Sequence, residues 1–214
     1  MTTTAVKLGP MDHGRPMRLR EFEHVEVQPG YLYELARGVI IVSDIPNAPH
    51  TRQLITIRRQ LSVYELAHPD VIYAILGGGE CKILVDRFES ERHPDLAIYM
   101  TPLPAEDSTA WEHWISEIVI EIVSPDSVLR DYQEKPEEYL QFGVKEYWIF
   151  DAVRGEMHVY RRARGRWTEQ LVCPPAMYRT NLLPGLEFAC GPVFEAARVV
   201  APRGKTRKKR GSTD

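Results

Sequence analysis

Residues 117–151 read EIVIEIVSPDSVLRDYQEKPEEYLQFGVKEYWIFD, and this stretch decides the fold. Its opening run is dense in Ile and Val, which is typical of a central strand covered on both faces. A helix is expected to begin near Asp131 to Pro136 and to end at Gly143. The closing EYWIFD predicts another strand. The succession of strand, helix and strand indicates an α/β domain built around a sheet.

Further elements are predicted on either side of this stretch. Residues 31–44, YLYELARGVIIVSD, form two β-rich runs around Gly38, the pattern of a hairpin. Between His50 and His68 apolar residues recur every three or four positions, which indicates a helix that Pro69 ends. Additional strands are expected at VIYAIL, CKILVD, DLAIYM, MHVYRR and RWTEQLV. Strands outnumber helices, so the predicted fold class is mixed α/β (α+β).

The length of 214 residues favours one domain. Residues 1–16 lack sustained periodicity and are expected to be a flexible N-terminus, with a folded domain at 17–200 and a basic disordered tail at 201–214. The sequence contains no apolar stretch typical of a signal peptide or a membrane span. Three widely spaced cysteines suit a reducing compartment, so a cytoplasmic location without membrane association is predicted.

Charge is distributed unevenly along the chain. The formal net charge is −3, but residues 201–214 hold six basic residues against one acidic residue. The tail therefore carries +5, which leaves −8 for residues 1–200. Such an acidic body repels nucleic acid unless a bound cation or a local groove reverses the sign. Lys208 and Lys209 in the tail are candidates for phosphate binding, while the alternative is a solvated terminus.

Two carboxylates are placed where a metal ion would be useful. Asp95 stands at the start of the strand LAIYM, and Glu121 lies inside the strand IVIEIVS. An ionised glutamate in a buried strand needs a cation or a hydrogen-bond donor as partner. Mg²⁺ binds through one or two carboxylates plus water and phosphate, so this pair suffices. The alternatives are a turn acid at position 95 and an edge-strand glutamate at position 121.

A lysine follows these acids at a position from which it can act on the same site. Lys135 comes fourteen residues after Glu121, at the expected start of the next helix. Its ammonium group can return to the strand end, orient an attacking water and offset charge on the phosphate. Alone, a lysine near a helix start is usually solvated, so only the three residues together indicate chemistry.

Other motifs were weighed and favour structural roles or exclude other classes of enzyme. No Lys-Ser/Thr pair follows the three glycines at 77–79, which excludes a P-loop. Ser124 and Ser127 lack the histidine and aspartate of an acyl-transfer triad. His50 is expected to cap a helix or lie at the surface. Trp111 and Trp114 are expected to cover an apolar patch, with base stacking as the alternative.

The segments HPDLAIYM, IVIEIVSPDS and DYQEKPEEYLQFGVKEYWIFD together resemble the restriction-endonuclease-like family of the Uma-two type, in the PD-(D/E)xK nuclease superfamily. The resemblance implies an αβββαβ core in which Asp95 and Glu121 bind Mg²⁺ or Mn²⁺. The usual lysine position, two residues after the glutamate, holds Val123, so the resemblance implies that Lys135 serves from the adjacent helix. It also implies that Glu34 contributes to the metal directly or through water.

Tyr139 and Pro136 add two details to this expectation. Tyr139 lies one helical turn after Lys135 and can bind the substrate phosphate, with a core position as the alternative. Pro136 interrupts backbone hydrogen bonding, which leaves the reach of Lys135 to the metal site in question.

The sequence therefore predicts a metal-dependent endonuclease that hydrolyses phosphodiester bonds, with DNA as the expected substrate. RNA processing shares the same chemistry and stays open. The competing hypothesis is a nuclease fold without turnover that binds nucleic acid or a partner protein. Cutting both strands of a duplex favours a C₂ homodimer.

Overall fold

The computed structural model describes residues 6–104, 106 and 109–198. Its α-helices are α1 Leu19–Phe22, α2 Ala48–Ala67, α3 Ala110–His113, α4 Lys135–Phe142 and α5 Gly191–Ala197. Its strands are β1 Lys7–Leu8, β2 Glu26–Val27, β3 Tyr31–Ala36, β4 Val39–Asp44, β5 Ala74–Leu76, β6 Ile83–Val85, β7 Ser90–Arg92, β8 Leu96–Tyr99, β9 Ile118–Ile122, β10 Glu146–Asp151, β11 Glu156–Ala163, β12 Arg166–Val172, β13 Met177–Tyr178 and β14 Phe188–Ala189.

A six-stranded sheet in the order β12-β11-β10-β9-β8-β5 forms the centre of the protein. β9 and β10 run parallel, and the other neighbouring strands in this sheet are antiparallel. Every residue of β9 and β10 is buried, as expected for strands covered on both faces. The order α2, β5, β8, β9, α4, β10 reproduces the αβββαβ succession implied by the resemblance, and the predicted mixed α/β fold class is confirmed.

The two faces of this sheet are covered by different elements. On one face Ile118, Ile120 and Trp148 pack with residues of α2 and α5, including Ile57 and Phe194. On the other face Val119, Tyr147 and Ile149 pack against Tyr139 of α4 and residues of β6. Because side chains alternate along a strand, Glu121 faces the same side as Val119. The alternation therefore directs the glutamate towards α4.

A second sheet of four strands, in the order β4-β3-β7-β6, covers part of the α4 side of the central sheet. The hairpin predicted at residues 31–44 is present as β3 and β4, paired from Tyr31 with Asp44 to Ala36 with Val39. β7 pairs with β3 through Leu35 and Glu91, and the neighbouring Arg92 lies against Glu138 of α4. The separation of these strands into their own sheet was not predicted from the sequence.

The helix that carries Lys135 begins with a π-helical turn at Arg130–Glu134 and continues as α4. In the π register the carbonyl of Asp131 would accept a hydrogen bond from residue 136, but proline has no N–H. The Tyr147 hydroxyl donates to that carbonyl instead, at 3.0 Å. The helix therefore continues across Pro136, and Lys135 lies within it rather than at an isolated N-terminus.

Residues 6–16 belong to the folded body, so the expectation of a flexible segment over residues 1–16 is wrong for this part. β1 pairs with β2, Leu8 is fully buried, and the backbone of Gly14 donates to Ile40. The apolar Leu8 packs into a small core with α1 and the four-stranded sheet, a contact too distant in sequence for local periodicity to reveal. The tail at 201–214 lies outside the described residues. No helix among the described residues is long and apolar enough to cross a membrane.

Candidate active site

The two predicted acids lie opposite each other on adjacent strands. Leu96 pairs with Ile120 in the antiparallel ladder of β8 and β9, and one step further along the register places Asp95 across from Glu121. The Ile122 backbone N–H donates to Asp95 Oδ2 at 2.8 Å and holds that carboxyl against β9. Directly opposed side chains on one sheet face have Cβ atoms about 5 Å apart. The carboxyls therefore converge at one end of the sheet.

Glu121 is a buried residue of a central strand, which excludes the edge-strand alternative. Its side chain is 5% exposed and lies between the strands that flank β9. Lys135 Nζ lies 2.9 Å from Glu121 Oε1, and the Tyr139 hydroxyl donates to the same oxygen at 2.7 Å. Lys135 thus reaches the acid pair from α4 despite the adjacent proline.

Burial and neighbouring negative charges raise the pKa values of both acids. Burial, with the neighbouring Glu121 charge, holds the pKa of Asp95 well above its usual range. Burial likewise raises the pKa of Glu121 to about 7, although Lys135 opposes the shift. Loss of solvent alone would lower the pKa of Lys135, but Asp131 and Glu121 raise it above the ordinary lysine value. Lys135 therefore stays an ammonium group at neutral pH.

Asp131 and His50 complete the cluster, and the sequence prediction assigned neither of them to it. Asp131 Oδ1 lies 2.9 Å from Lys135 Nζ, so the ammonium group sits between Asp131 and Glu121. Asp131 precedes Lys135 by four residues, and this helical spacing was the signal available in the sequence. His50 Nε2 lies 3.1 Å from Asp95 Oδ1 without the alignment of a hydrogen bond. Burial lowers the pKa of His50, which favours the neutral imidazole.

Glu34 lies beside the cluster and is held by residues of the second sheet. Its Oε1 accepts from the His93 backbone N–H at 3.0 Å, and its Oε2 lies 3.7 Å from Arg92 Nη1. Burial alone would raise the pKa of Glu34, but Lys135 and Arg92 outweigh it and lower that pKa. Glu34 is therefore an ionised carboxylate at neutral pH and adds negative charge beside Lys135.

Arg92 forms ion pairs on the Glu34 side of the site. The guanidinium is fully buried and donates to both carboxylate oxygens of Glu138, at 2.7 and 2.9 Å, and to Glu134 at 3.1 Å. Such a bidentate pair fixes the orientation of both groups. Because Glu138 belongs to α4 and Arg92 to β7, the pair joins the helix of Lys135 to the strand next to Glu34.

Tyr139 is fully buried, and its hydroxyl is engaged by Glu121. This arrangement favours a positioning role over the direct phosphate contact that the sequence suggested. Trp114 is also buried and stacks on Tyr99, with ring centroids 3.8 Å apart, which favours packing over base stacking. Lys208 and Lys209 lie outside the described residues.

The donor groups fit a magnesium ion with an open coordination sphere. Asp95 and Glu121 supply hard oxygen ligands, and a bound cation would offset the cost of ionising them at a site where burial raises the pKa values of both. In the part of the chain that the structure describes, no group of three or more His, Cys, Asp or Glu side chains is arranged to hold a metal ion. Water and substrate phosphate would therefore complete the coordination.

Two cavities among the described residues lie away from the acid pair. One of about 550 Å³ lies beside Arg18, Arg37 and Phe88. Another of about 290 Å³ lies between Lys145, Arg161 and Arg179. The acid pair opens instead to solvent along Asp95 and His50, whose side chains are 20% and 17% exposed.

Comparison with known proteins identifies the family of the chain and a similar solved structure. The Uma2 family model, described as "Putative restriction endonuclease", matches residues 19–191. No curated protein matches the chain. The fold is similar to the crystal structure of "a putative nuclease belonging to DUF820" from Anabaena variabilis, with a TM-score of 0.68 and 16% sequence identity. That likeness covers 86% of this chain and 100% of the other.

Proposed function

Because the chain belongs to the Uma2 family of putative restriction endonucleases, we propose that it is a Mg²⁺-dependent endonuclease that hydrolyses phosphodiester bonds in DNA. The observation that carries this proposal is the pair of opposed acids, the half-buried Asp95 and the buried Glu121, with the Lys135 ammonium group 2.9 Å from Glu121. Acids with raised pKa values beside a buried cation are typical of functional sites.

In the proposed reaction Asp95 and Glu121 would hold the cation, and Glu34 would contribute to the same site directly or through water. A bound Mg²⁺ would polarise the phosphate and lower the pKa of a coordinated water. Lys135 orients the attacking water and offsets the charge that develops on the phosphate oxygens. Since its pKa is raised, it acts as a fixed positive charge and hydrogen-bond donor, not as the base.

Two groups hold Lys135 and Glu121 in position for this chemistry. Asp131 fixes the ammonium group from one side, and the Tyr139 hydroxyl fixes the carboxylate of Glu121. Both are buried, so they act on Lys135 and Glu121 rather than on the phosphate. Groups held this firmly need little reorganisation as charge develops in the transition state.

The remaining parts of the proposal concern assembly and location. Cleavage of both strands of a duplex requires two sites, and a C₂ homodimer supplies them with one interface. Cys81, Cys173 and Cys190 are all free thiols, which supports a reducing compartment such as the cytoplasm.

Cleavage of supercoiled plasmid with Mg²⁺, Mn²⁺ or EDTA tests the proposal. Wild-type protein is expected to nick or linearise the plasmid with either metal, while Glu121→Gln and Lys135→Met lower the rate at least about a hundredfold. Glu117→Gln is the matched control, since Glu117 is another buried glutamate that meets a lysine, Lys145, at 3.4 Å near the start of the same strand.

The outcomes separate the two hypotheses for this fold. Metal-dependent cleavage that persists in Glu117→Gln but is lost in Glu121→Gln and Lys135→Met establishes the nuclease. Folded wild-type protein that binds DNA without cutting plasmid or single-stranded DNA under any metal condition overturns the proposal in favour of a binding module.

A further inference from the structure

The hairpin of β11 and β12 carries a concentration of arginines far from the acid pair. Residues 161–166 read RRARGR, and Ala163 pairs with Arg166 to close a tight turn. Arg164 and Gly165 form this turn with φ values of 50° and 76°, as in the two-residue turns that suit hairpins. The turn projects Arg164 at the tip, where it is exposed.

Lys145 and Arg179 extend this group into a basic cluster, which we define as Lys145, Arg161, Arg162, Arg164, Arg166 and Arg179. Four of its members line the cavity of about 290 Å³, together with Glu146, Asn181 and Leu182. The acids nearby are fewer than the cations. Lys145 lies 3.4 Å from Glu117, Arg179 pairs with Glu187, and Arg161 lies 3.7 Å from Glu146.

Glu146 is engaged mainly by neutral donors. Its buried carboxylate accepts from Trp148 at 2.9 Å, from Tyr178 at 2.8 Å and from Thr180 at 2.6 Å. These bonds hold the acid inside the protein, so it offsets the charge of Arg161 only in part. The outer surface of the basic cluster therefore stays positive.

Three arginines of the basic cluster have no carboxylate partner among the described residues. Arg162 donates to the Leu140 backbone carbonyl at 2.9 Å, near the C-terminus of α4. Arg164 and Arg166 make no side-chain hydrogen bond or ion pair within residues 6–104, 106 and 109–198. What distinguishes this surface is that several guanidinium groups without a carboxylate partner lie within six residues, 161–166, on a body with a net charge of −8.

The spacing of the basic cluster indicates the shape of its ligand. Arg161 pairs with Glu146 and Ala163 pairs with Arg166, so the cluster extends along β11 from Arg161 to Arg164 at the tip, three residues or about 10 Å. A single small anion cannot contact guanidinium groups spread over this length. An extended polyanion with regularly spaced phosphates can contact them.

We propose that the basic cluster binds the sugar–phosphate backbone of a nucleic acid, independently of the acid pair. The identity of this nucleic acid as the substrate of the acid pair rests on the proposed nuclease function. Arginine guanidinium groups bind phosphate oxygens without reading base sequence, so this contact contributes affinity rather than sequence specificity.

Binding of a fluorescent DNA duplex of about 20 base pairs tests the proposal, measured by anisotropy in EDTA over a range of salt concentrations. In the variant Arg164→Ala/Arg166→Ala the slope of log affinity against log salt is expected to fall by about 2. A fall of this size in the slope corresponds to binding up to about sixtyfold weaker than that of the wild type at 0.1 M salt. The basic residues at 203–210 are present in every variant and contribute equally.

The matched control is Arg20→Ala/Arg59→Ala, which removes the same charge. Both control arginines are exposed and form no hydrogen bond or ion pair through their side chains in the described ranges. The control is expected to keep the wild-type salt slope within about 0.5, and circular dichroism confirms that both variants are folded. An unchanged slope in Arg164→Ala/Arg166→Ala, or an equal fall in the control, overturns the proposal.

Competition with inorganic phosphate distinguishes a nucleic-acid site from a small-anion site. Comparison with the cleavage assay distinguishes this proposal from the nuclease proposal. Inorganic phosphate at equal ionic strength is expected to compete weakly. Full displacement of DNA by millimolar phosphate would instead indicate a small-anion site and overturn the proposal.

Glu121→Gln should retain full binding in EDTA. A loss of salt slope in the arginine variant without any cleavage by wild-type protein would support this inference while the nuclease proposal fails.

Discussion

Glu121→Gln is expected to stabilise the protein at alkaline pH in the absence of metal. The pKa of Glu121 is raised from 4.5 to about 7, mainly because the carboxylate is buried. Folding therefore favours the protonated acid. The contribution of Glu121 to stability is complete below pH 4.5 and is lost as the pH rises through 7. Glutamine is neutral at every pH and can still accept hydrogen bonds from Tyr139 and Lys135.

The magnitude follows from the size of the pKa shift. A difference of one pKa unit corresponds to about 1.4 kcal/mol, so ionisation of Glu121 in the folded protein costs about 3 kcal/mol. Wild type and Glu121→Gln should have similar free energies of unfolding near pH 4.5. The variant should gain up to about 3 kcal/mol relative to wild type by pH 8. This result would show an acid kept for function at a cost in stability.

Urea denaturation in EDTA between pH 4.5 and pH 8 measures this difference, and repetition with Mg²⁺ adds a second test. Metal should stabilise wild type at pH 8 and have little effect on Glu121→Gln. The control Glu117→Gln should lose about 1–2 kcal/mol, because both Glu117 oxygens accept hydrogen bonds, Oε2 from the Met100 backbone N–H at 2.8 Å and Oε1 from Lys145 at 3.4 Å, and an amide keeps only one acceptor oxygen. A Glu121→Gln variant that is less stable than wild type at every pH would refute the reasoning.

Two other predictions concern residues that hold the site in place. Arg92→Leu should lower the free energy of unfolding by about 3–5 kcal/mol, because it leaves the fully buried Glu138 without its bidentate partner. Arg92→Leu/Glu138→Leu should recover most of that loss in the same denaturation assay, and a double variant as unstable as the single one contradicts the ion-pair explanation. Tyr139→Phe removes the hydroxyl that donates to Glu121 at 2.7 Å and should slow plasmid cleavage about tenfold, with KM nearly unchanged. A rise in KM with kcat unchanged would point instead to a direct substrate contact.

The cluster around Lys135 also shows why some functional residues escape detection in a sequence. Asp131 shares a helix with Lys135, and its spacing of four residues made it detectable. His50 lies 45 residues before Asp95, and no local pattern connects them. His50 meets Asp95 because α2 begins next to the start of β8. The packing of α2 on the central sheet determines that position.

By itself the sequence determined the main helices and strands. Hydrophobic periodicity, and the glycine and proline residues that end an element, depend only on residues close together in the chain. The helix at Ala48–Ala67, the hairpin of β3 and β4 and the central strand β9 follow from such local signals. The strong apolar run around Glu121 likewise marked a buried acid that needs a partner.

Only the tertiary structure decided which distant side chains meet. The strand register places Asp95 opposite Glu121, and the π-helical turn carries Lys135 past Pro136 to the same point. The buried Arg92 and the ordered residues 6–16 also required the fold, because their partners lie far away in the sequence. Register and packing depend on contacts summed over the whole core, whereas periodicity reports only the local conformation of each element.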